Sequence, residues 1–375
     1  MRSSRKYPRR LIGPQVVAVL LMLGVVGTVG FAIGKWSQPK PTKPQAVVRV
    51  KTITKAETPV DLHNYFPSDH FSGVAALYRN GKRVATLAQG HATAQTANTA
   101  LTMFEIDSVQ KSLTAGLVMH EAMQGKLHLH DKLSQYFPQV PGADTITIRQ
   151  LLDMASGLSV AGSFMSRDYV SDQVTVQRML AKLRYTSSMN GVGKYQPANY
   201  VVLVGILMKV TGQSYQSLVE NQYIKPLHLT HTRFAYDRDV AGVAAGHYLG
   251  KHGLSDATEA VTTQAQQHQE LGTGQLMMSV DDLYTVESAL LSGRLIGGNN
   301  ASALLFAPGS LTTYGGGMYQ NGPYRSANGY GYGFECFLRI TQSGRDAVIV
   351  MGNCSVPGHV NENATNRLSM AWLTH

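Results

Sequence analysis

The sequence predicts an α/β fold, more closely α+β, in which strands from both ends of the chain form an antiparallel sheet and helices lie between them. Two short apolar runs within residues 71–87 flank Asn80 and Gly81, a dipeptide typical of a two-residue β-hairpin. Alternating apolar residues return in residues 334–351 around a Gln-Ser-Gly turn and predict a second hairpin. Helical periodicity dominates residues 108–223. With 375 residues, 43% of them hydrophobic, the chain can bury a large core.

The N-terminal region predicts a membrane anchor followed by a stalk. Residues 1–10 carry five basic side chains and precede residues 11–34, an uncharged run long enough to cross a bilayer of about 30 Å. The positive-inside rule then makes residues 1–10 a cytoplasmic tail. Prolines and basic residues in residues 35–60 predict a linker, and residues 61–375 then form a folded domain outside the cell membrane. A cleaved signal peptide remains the alternative, although the run is longer than a usual signal-peptide core.

The charge of the chain is concentrated at its N-terminus. The formal net charge is +10, but 11 of the 33 basic residues lie in residues 1–55, which contain no acidic residue. The remaining chain therefore has 22 basic and 23 acidic residues and is close to neutral. A near-neutral domain without a basic stripe gives no indication of nucleic-acid binding.

A helix beginning near Ser108 contains the first candidate site. Its apolar residues recur at helical spacing and end before Gly125, a typical left-handed helix stop; they are Ala115, Val118, Met119, Ala122 and Met123. The same face, continued backwards, contains Lys111 and, one turn earlier, Ser108. Because burial lowers the pKa of a lysine, this pair would be a nucleophile with its base. A serine N-cap with a lysine that reaches the surface is the alternative interpretation.

Two passages that follow this helix carry a family resemblance. Residues 125–138 read Gly-Lys-Leu-His-Leu-His-Asp-Lys-Leu-Ser-Gln-Tyr-Phe-Pro, and residues 146–158 begin Ile-Thr-Ile-Arg-Gln-Leu-Leu and end Ser-Gly-Leu. In this order, and over residues 65–370, the chain resembles the penicillin-binding-protein and class C β-lactamase-like serine hydrolase family. The resemblance implies a β-lactamase/transpeptidase-like fold, with an antiparallel sheet flanked by helices and an inserted all-helical lobe. It also implies that Ser108 and Lys111 are the catalytic serine and lysine.

The second family motif is matched by residues 194–205, where Tyr195 takes the place of the catalytic tyrosine. The resemblance implies that Tyr195 moves protons to the leaving group and during deacylation, because a nearby ammonium would stabilise its anionic form. The family's asparagine two residues later is replaced by Pro197, which has no side-chain amide. Asn199 is the nearest candidate for its substrate-binding role, although its spacing differs. A packing role for Tyr195 at a helix entrance is the alternative.

The third motif, a Lys-Thr-Gly or His-x-Gly strand in the family, falls within residues 324–334. Gly329 matches its glycine, but the basic position falls on Ala327 or Ser326. We expect the strand to supply the backbone N–H of Tyr330, which with the N–H of Ser108 would form an oxyanion hole. In relatives the missing basic residue faces a substrate carboxylate, so its absence indicates a substrate without one, unless Arg325 takes over. Simple strand packing is the alternative for this segment.

Other sequence features indicate little further chemistry. The histidines and cysteines lack the spacing of a metal site, and the glycine-rich segments lack a phosphate-binding or dinucleotide fingerprint, so neither a metal nor a cofactor is predicted. Cys336 and Cys354 lie near the ends of the C-terminal hairpin and would be able to pair outside the cell, although their register is not ideal. The sequence leaves that disulfide open.

Together these features predict a membrane-anchored, single-pass serine acyl hydrolase with an extracellular catalytic domain. Family resemblance implies D-alanyl substrates and a cell-envelope partner, either the D-alanyl ester of teichoic acid or the D-Ala-D-Ala peptide of peptidoglycan. Loss of the third-motif base favours the ester. A non-catalytic wall-binding or regulatory module is the main alternative, because two of the three motifs are degraded. Activity as a β-lactamase or a hydrolase of small esters is a lesser one.

Overall fold

The computed structural model describes residues 60–237, 240–307 and 313–374. The strands within these residues are β1 (Gly73–Arg79), β2 (Lys82–Gln89), β3 (His91–Thr93), β4 (Thr96–Ala97), β5 (Phe104–Glu105), β6 (Leu158–Val160), β7 (Leu183–Tyr185), β8 (Thr232–Phe234), β9 (His247–Gly250), β10 (Gly253–Glu259), β11 (Leu276–Met278), β12 (Tyr314–Gly315), β13 (Met318–Asn321), β14 (Tyr324–Gly331), β15 (Phe334–Thr341), β16 (Ala347–Gly352) and β17 (Cys354–Ser355).

Most of the α-helices in the described residues lie between β5 and β12. The α-helices are α1 (Lys111–Met123), α2 (Ile148–Leu152), α3 (Asp172–Lys182), α4 (Ala198–Thr211), α5 (Tyr215–Val219), α6 (Lys225–Leu227), α7 (Gln264–Gln269), α8 (Val280–Leu291), α9 (Asn299–Phe306) and α10 (Val360–Leu373). Short 3₁₀ turns occur at Leu62–Asn64, Asp107–Gln110, Leu133–Gln135, Ser187–Met189 and Pro357–His359, and a π-helical turn at Glu220–Ile224.

The main sheet joins the two ends of the domain. Its seven strands have the order β12-β13-β14-β15-β16-β1-β2, and every pairing between them is antiparallel. Asn80 and Gly81 both have positive φ, at 52° and 85°, as the two-residue turn between β1 and β2 requires. Both predicted hairpins are therefore confirmed, and so is the antiparallel sheet with helices between its parts.

Helices cover the sheet on both faces. The first face packs on α8, which in turn contacts α1, within the larger of two buried apolar clusters, which contains Ala76 and Ile349. The opposite face packs on α10 in a smaller cluster that includes Leu77 and Trp372. Alternate strand residues therefore enter two different cores, which is the expected result when a sheet is buried on both sides.

Helix α1 is the central helix of the larger core. Every residue from Lys111 to Met119 is buried, so the helix is enclosed on all sides and not only along the predicted stripe. The prediction that the stripe extends to Met123 was wrong, because Met123 is half exposed in the last turn. Gly125 has φ 72° and ends the helix as predicted.

The structure contains Cys336 and Cys354 as free, buried thiols, so the disulfide considered from the sequence is absent between them. Their strands explain this, since Cys336 lies opposite Met351 in the main sheet while Cys354 pairs with His247 in another.

Within the described residues, no helix is both long and apolar enough to cross a membrane. The predicted tail and anchor lie outside those residues.

Candidate active site

A tight turn immediately before α1 presents Ser108 to solvent. Asp107 has φ 46°, a left-handed conformation that aspartate tolerates better than most residues, and it starts the 3₁₀ turn that contains Ser108. The buried side chain of Gln110 clamps this turn to β11, because its Oε1 accepts hydrogen bonds from the backbone N–H groups of Gln275 (2.6 Å) and Leu276 (2.9 Å). The turn is thereby held rigidly below a partly exposed serine.

Lys111 contacts Ser108 directly, as the sequence predicted. Its Nζ donates to Ser108 Oγ at 2.7 Å and to the carbonyl oxygen of Thr273 at 3.4 Å. The lysine has no exposed surface. Loss of hydration lowers its pKa to about 7, although the carboxylates of Glu270 and Asp107 oppose this shift. A substantial fraction of the amine is therefore neutral near pH 7 and able to accept the serine proton.

Tyr195 faces the same two residues from the entrance of α4. The Nζ of Lys111 lies 5.3 Å from the centre of the tyrosine ring, and the phenol is hydrogen-bonded to Ser108. Desolvation raises the pKa of Tyr195, with the hydrogen bond from Ser108 opposing it. The expected stabilisation of its anion by a lysine ammonium was wrong, because desolvation and the nearby carboxylates of Asp107 and Glu270 disfavour the phenolate. The hydroxyl is therefore a neutral proton donor and acceptor.

Strand β14 runs against the serine turn. A Cβ on Gly329 would lie 2.2 Å from the carbonyl oxygen of Ile106, and one on Gly331 would lie 2.1 Å from Asp107 Oδ1. Only glycine allows the strand to come this close. Tyr330, between them, points to the opposite face, where its hydroxyl donates to Glu362 Oε2 at 2.5 Å. Gly329 and Gly331 thus lie against the residues that precede the nucleophile, while the Tyr330 side chain points away from them.

The structure places Asn199 away from the candidate nucleophile. The side chain is buried in the first turn of α4, where its Nδ2 donates to the carbonyl oxygen of Gln196 at 3.0 Å and its Oδ1 accepts from Ser156 at 2.6 Å. These bonds use its amide to hold the helix entrance, and none of them reaches Ser108 or Lys111. The expectation that Asn199 binds substrate is therefore corrected to a supporting role.

Arg325 is also engaged elsewhere. Its side chain is buried, donates from Nη1 to the carbonyl oxygen of Phe306 at 2.9 Å, and lies over the Phe306 ring. Ala327, the residue at the third motif's basic position, is buried as well. Ala327 therefore supplies no cation at the third motif's basic position, and the suggestion that Arg325 takes over is corrected, because its guanidinium is buried against Phe306.

Three carboxylates near the serine turn were missed by the sequence analysis. Burial raises the pKa values of Glu105 and Asp107 well above their usual range, and the mutual proximity of the acids adds to the effect. Glu270 is partly exposed, and its Oε1 and Oε2 accept from the hydroxyls of Tyr332 (3.4 Å) and Thr273 (3.2 Å). None of these acids belongs to a recognised sequence motif. Glu270 in addition comes from a loop far along the chain.

Aromatic rings form one wall of the cleft. Tyr195 and Tyr314 meet edge to face with ring centres 5.9 Å apart, and Tyr314 meets Tyr319 in the same way at 4.8 Å. Tyr195 and Tyr319 are partly exposed, so the wall gives substrates an amphipathic surface. In the described parts of the chain, no group of three or more His, Cys, Asp or Glu side chains is placed to hold a metal ion.

A serine whose hydroxyl contacts a buried lysine of lowered pKa, beside a tyrosine and a glycine-bearing strand, defines a serine acyl hydrolase of the penicillin-binding-protein type. A family model described as Beta-lactamase matches residues 57–368, and the chain belongs to this family. The resemblance seen in the sequence is confirmed.

Similarity to individual proteins agrees with this assignment. The chain is 30% identical to the putative penicillin-binding protein PbpX of Bacillus subtilis (strain 168), over 84% of this chain and 78% of that protein. It is 31% identical to the teichoic acid D-alanine hydrolase of Staphylococcus aureus, over 59% of this chain and 55% of the relative, so it spans about half of that protein's length. The crystal structure of FmtA from Staphylococcus aureus has the same fold, with a TM-score of 0.70 at 24% identity, covering 82% of this chain and 86% of that one.

Proposed function

We propose that Ser108 is the nucleophile of a D-alanyl esterase, with Lys111 as its base and Tyr195 as its proton relay. The observation that carries the proposal is the 2.7 Å hydrogen bond from Lys111 Nζ to Ser108 Oγ, together with a lysine pKa of about 7. A serine hydroxyl is a weak nucleophile at neutral pH unless a neighbouring base takes its proton. Lys111 is suited to this task, because it lies within hydrogen-bonding distance of the serine and is partly neutral at pH 7.

The proposed reaction has two steps. Neutral Lys111 accepts the proton of Ser108 Oγ while that oxygen attacks the ester carbonyl, and the backbone N–H groups of Ser108 and Tyr330 bind the resulting oxyanion. The intermediate collapses to a D-alanyl-serine ester and releases the alcohol, which takes its proton from Lys111 through Tyr195. Water then attacks the acyl-enzyme by the same route, so that the ester and one water yield D-alanine and the free alcohol.

The third-motif position supports an ester of teichoic acid over a peptide. A D-Ala-D-Ala peptide ends in a carboxylate, which needs a cation in the cleft. Ala327 occupies the position where the family has that cation, and Arg325 is bound to a backbone carbonyl instead. A D-alanyl ester presents an ammonium and a polyol phosphate instead. The relative from Staphylococcus aureus that is named teichoic acid D-alanine hydrolase supports the same choice.

We also propose the organisation of the whole chain. Residues 1–10 form a cytoplasmic tail, residues 11–34 a single membrane-spanning helix, residues 35–60 a linker, and residues 61–375 the extracellular hydrolase domain. The uncharged run and the basic residues that precede it support this arrangement. A membrane-tethered domain suits a polymer substrate in the cell envelope. Alkaline extraction of membranes tests the anchor, since an integral protein stays in the pellet.

The substrate assignment is tested by measuring released D-alanine. The full-length protein in detergent, and its Ser108→Ala variant as the control, are incubated with D-alanylated lipoteichoic acid and separately with a peptide ending in D-Ala-D-Ala. The proposal expects release from the teichoic acid that is lost in the variant. Release from the peptide alone would replace the esterase with a carboxypeptidase, and release from neither would reject both substrates.

A further inference from the structure

The loop between α7 and β11 brings a partly exposed carboxylate next to the catalytic base. The carbonyl oxygen of Thr273 accepts from Lys111 Nζ at 3.4 Å, and the hydroxyl of the same threonine donates to Glu270 Oε2 at 3.2 Å. Backbone bonds from the N–H groups of Thr273 (2.9 Å) and Gly274 (3.0 Å) to the Glu270 carbonyl hold the loop in a tight turn. Thr273 thus contacts both Glu270 and the base Lys111, and it connects the two through its hydrogen bonds.

The charge of this carboxylate is not balanced within the described residues. Its side chain has no ion pair among them, and its only hydrogen-bond donors there are two hydroxyl groups. Lys111 compensates it only in part, because burial lowers the pKa of that amine to about 7 and leaves only part of it charged near pH 7. An ionised carboxylate can accept about four hydrogen bonds, so Glu270 has capacity for a cationic donor that enters the cleft.

A second acid in the same place has an unsatisfied atom. Asp107, which adjoins the nucleophile, is 5% exposed, and its Oδ2 has no hydrogen-bond partner among the described residues. The backbone of Gly274 packs against Asp107, since a Cβ on that glycine would lie 3.3 Å from Asp107 Cα. Buried polar atoms are normally paired, so an unpaired oxygen beside the candidate nucleophile leaves a hydrogen-bonding position open there.

We propose that Glu270 binds the α-ammonium group of the substrate acyl unit and makes the enzyme specific for aminoacyl esters. This inference rests on the proposed function, since it concerns the ligand of the same serine. In a D-alanyl ester the ammonium is attached to the carbon next to the reacting carbonyl. When Ser108 attacks that carbonyl, the ammonium must therefore lie close to the nucleophile. Glu270 supplies the opposite charge there, and the same charge disfavours an anionic acyl group.

The test compares two esters that differ only in this group. D-alanyl glycerol ester carries the ammonium, while D-lactyl glycerol ester has a hydroxyl in its place and the same carbon skeleton. The ratio of their kcat/KM values is measured for the full-length protein and for Glu270→Gln, with Asp144→Asn as a matched loss of an exposed carboxylate. Because both esters use the same serine and base, any effect through Lys111 cancels in the ratio.

The proposal expects wild-type enzyme and Asp144→Asn to prefer the alanyl ester by about 10- to 100-fold, the usual effect of a hydrogen bond to a charged group. Glu270→Gln should lose most of that preference, so that its ratio of kcat/KM values for the alanyl and lactyl esters falls towards one. An equal fall for both esters in this variant would overturn the inference and leave the esterase intact.

The wild-type measurement keeps the inference testable if Glu270→Gln does not fold. Equal rates of wild-type enzyme on the alanyl and lactyl esters would overturn ammonium recognition without any variant. Wild-type enzyme that hydrolyses neither ester, and releases no D-alanine from teichoic acid, would instead overturn the proposed function itself. The two failures are therefore distinguishable.

Discussion

At the scale of single residues, Lys111 and Ser108 illustrate how burial creates reactivity. An exposed lysine has a pKa above 10 and is almost fully protonated at pH 7. The enclosed position of Lys111 lowers its pKa to about 7, while the acids beside it limit the shift. The same position keeps its amine 2.7 Å from the serine hydroxyl. Proximity and protonation state therefore have one cause, the burial of the first turn of α1.

The pKa of Lys111 predicts a pH profile. Because the neutral amine is the active form, kcat/KM should rise as the pH increases through about 7 and level off above it. D-lactyl glycerol ester is the suitable substrate, since it has no amine that titrates in this range. A rate independent of pH between about 6 and 8, or an inflection near the usual pKa of lysine, would contradict the assignment of Lys111 as the base.

Tyr195 should act as a neutral relay. Desolvation raises its pKa, so no phenolate is available at neutral pH. We expect Tyr195→Phe to lower kcat by about 10²- to 10⁴-fold, the range for losing a general acid–base group, while the ring still packs against Tyr314. Steady-state kinetics and a thermal melt check this together. Near-normal kcat in a folded variant would assign Tyr195 a packing role only.

At the scale of elements, the position of the nucleophile depends on contacts between segments that are far apart in sequence. The turn before α1 is clamped to β11 through Gln110 and lies against β14 through Gly329. A buried hydrogen bond links Ser112 in α1 to Glu287 in α8, and Ser112 Oγ also donates to the carbonyl oxygen of Val109 at 2.8 Å. Strands β11 and β14 and helix α8 therefore together fix the position of the turn that contains Ser108.

Gly329→Ala should separate activity from folding. The new methyl group would meet the backbone of Ile106 at 2.2 Å, so β14 must move away from the serine turn and take its oxyanion donor with it. Loss of such a donor lowers kcat by about 10²- to 10³-fold. Gly352→Ala is the matched control, because its methyl group makes only ordinary contacts of 3.5 Å or more. Equal activity of the two variants would remove β14 from the oxyanion hole.

Glu287 should make the stability of the fold depend on pH. Complete burial raises its pKa to about 8, against 4.5 in the unfolded chain. Between these values the folded state retains a proton that the unfolded state loses, so the free energy of unfolding falls as the pH rises from about 4.5 to 8. Urea denaturation of wild-type protein and Glu287→Gln across this range checks the effect.

The variant should remove this contribution, which amounts to at most about 1.4 kcal/mol per pH unit. Asp144→Asn, at an exposed position, should leave the pH dependence of stability unchanged. A wild-type minus Glu287→Gln difference that stays constant between about pH 5 and 8 would show that the buried carboxyl is not protonated.

At the scale of the whole molecule, the sheet joins the ends of the domain and the active site collects residues from distant loops. Local sequence patterns were enough to predict the first hairpin, because Asn80 and Gly81 specify a turn on their own. They were also enough to predict the contact of Lys111 with Ser108, because these residues are one helical turn apart. The resemblance to the family, and not a local pattern, predicted Tyr195 and Gly329 as residues of the site.

The remaining contacts depend on tertiary packing and were beyond sequence reasoning. Thr273, which binds the amine of Lys111, lies 162 positions away from it. Nothing in the local sequence marks Glu270 as a neighbour of the base, and the departure at Pro197 suggested Asn199 as a substitute. The fold instead uses the Asn199 amide to hold a helix entrance.

The most direct test of the whole account is detection of the acyl-enzyme. The full-length Tyr195→Phe variant, in which deacylation should be slow, is mixed with D-alanyl glycerol ester and examined by intact-protein and peptide mass spectrometry. The account predicts a gain of one D-alanyl group on the peptide that contains Ser108, and none in a variant that also carries Ser108→Ala. A D-alanyl group attached at another residue, or turnover of the ester by Ser108→Ala protein, would contradict it.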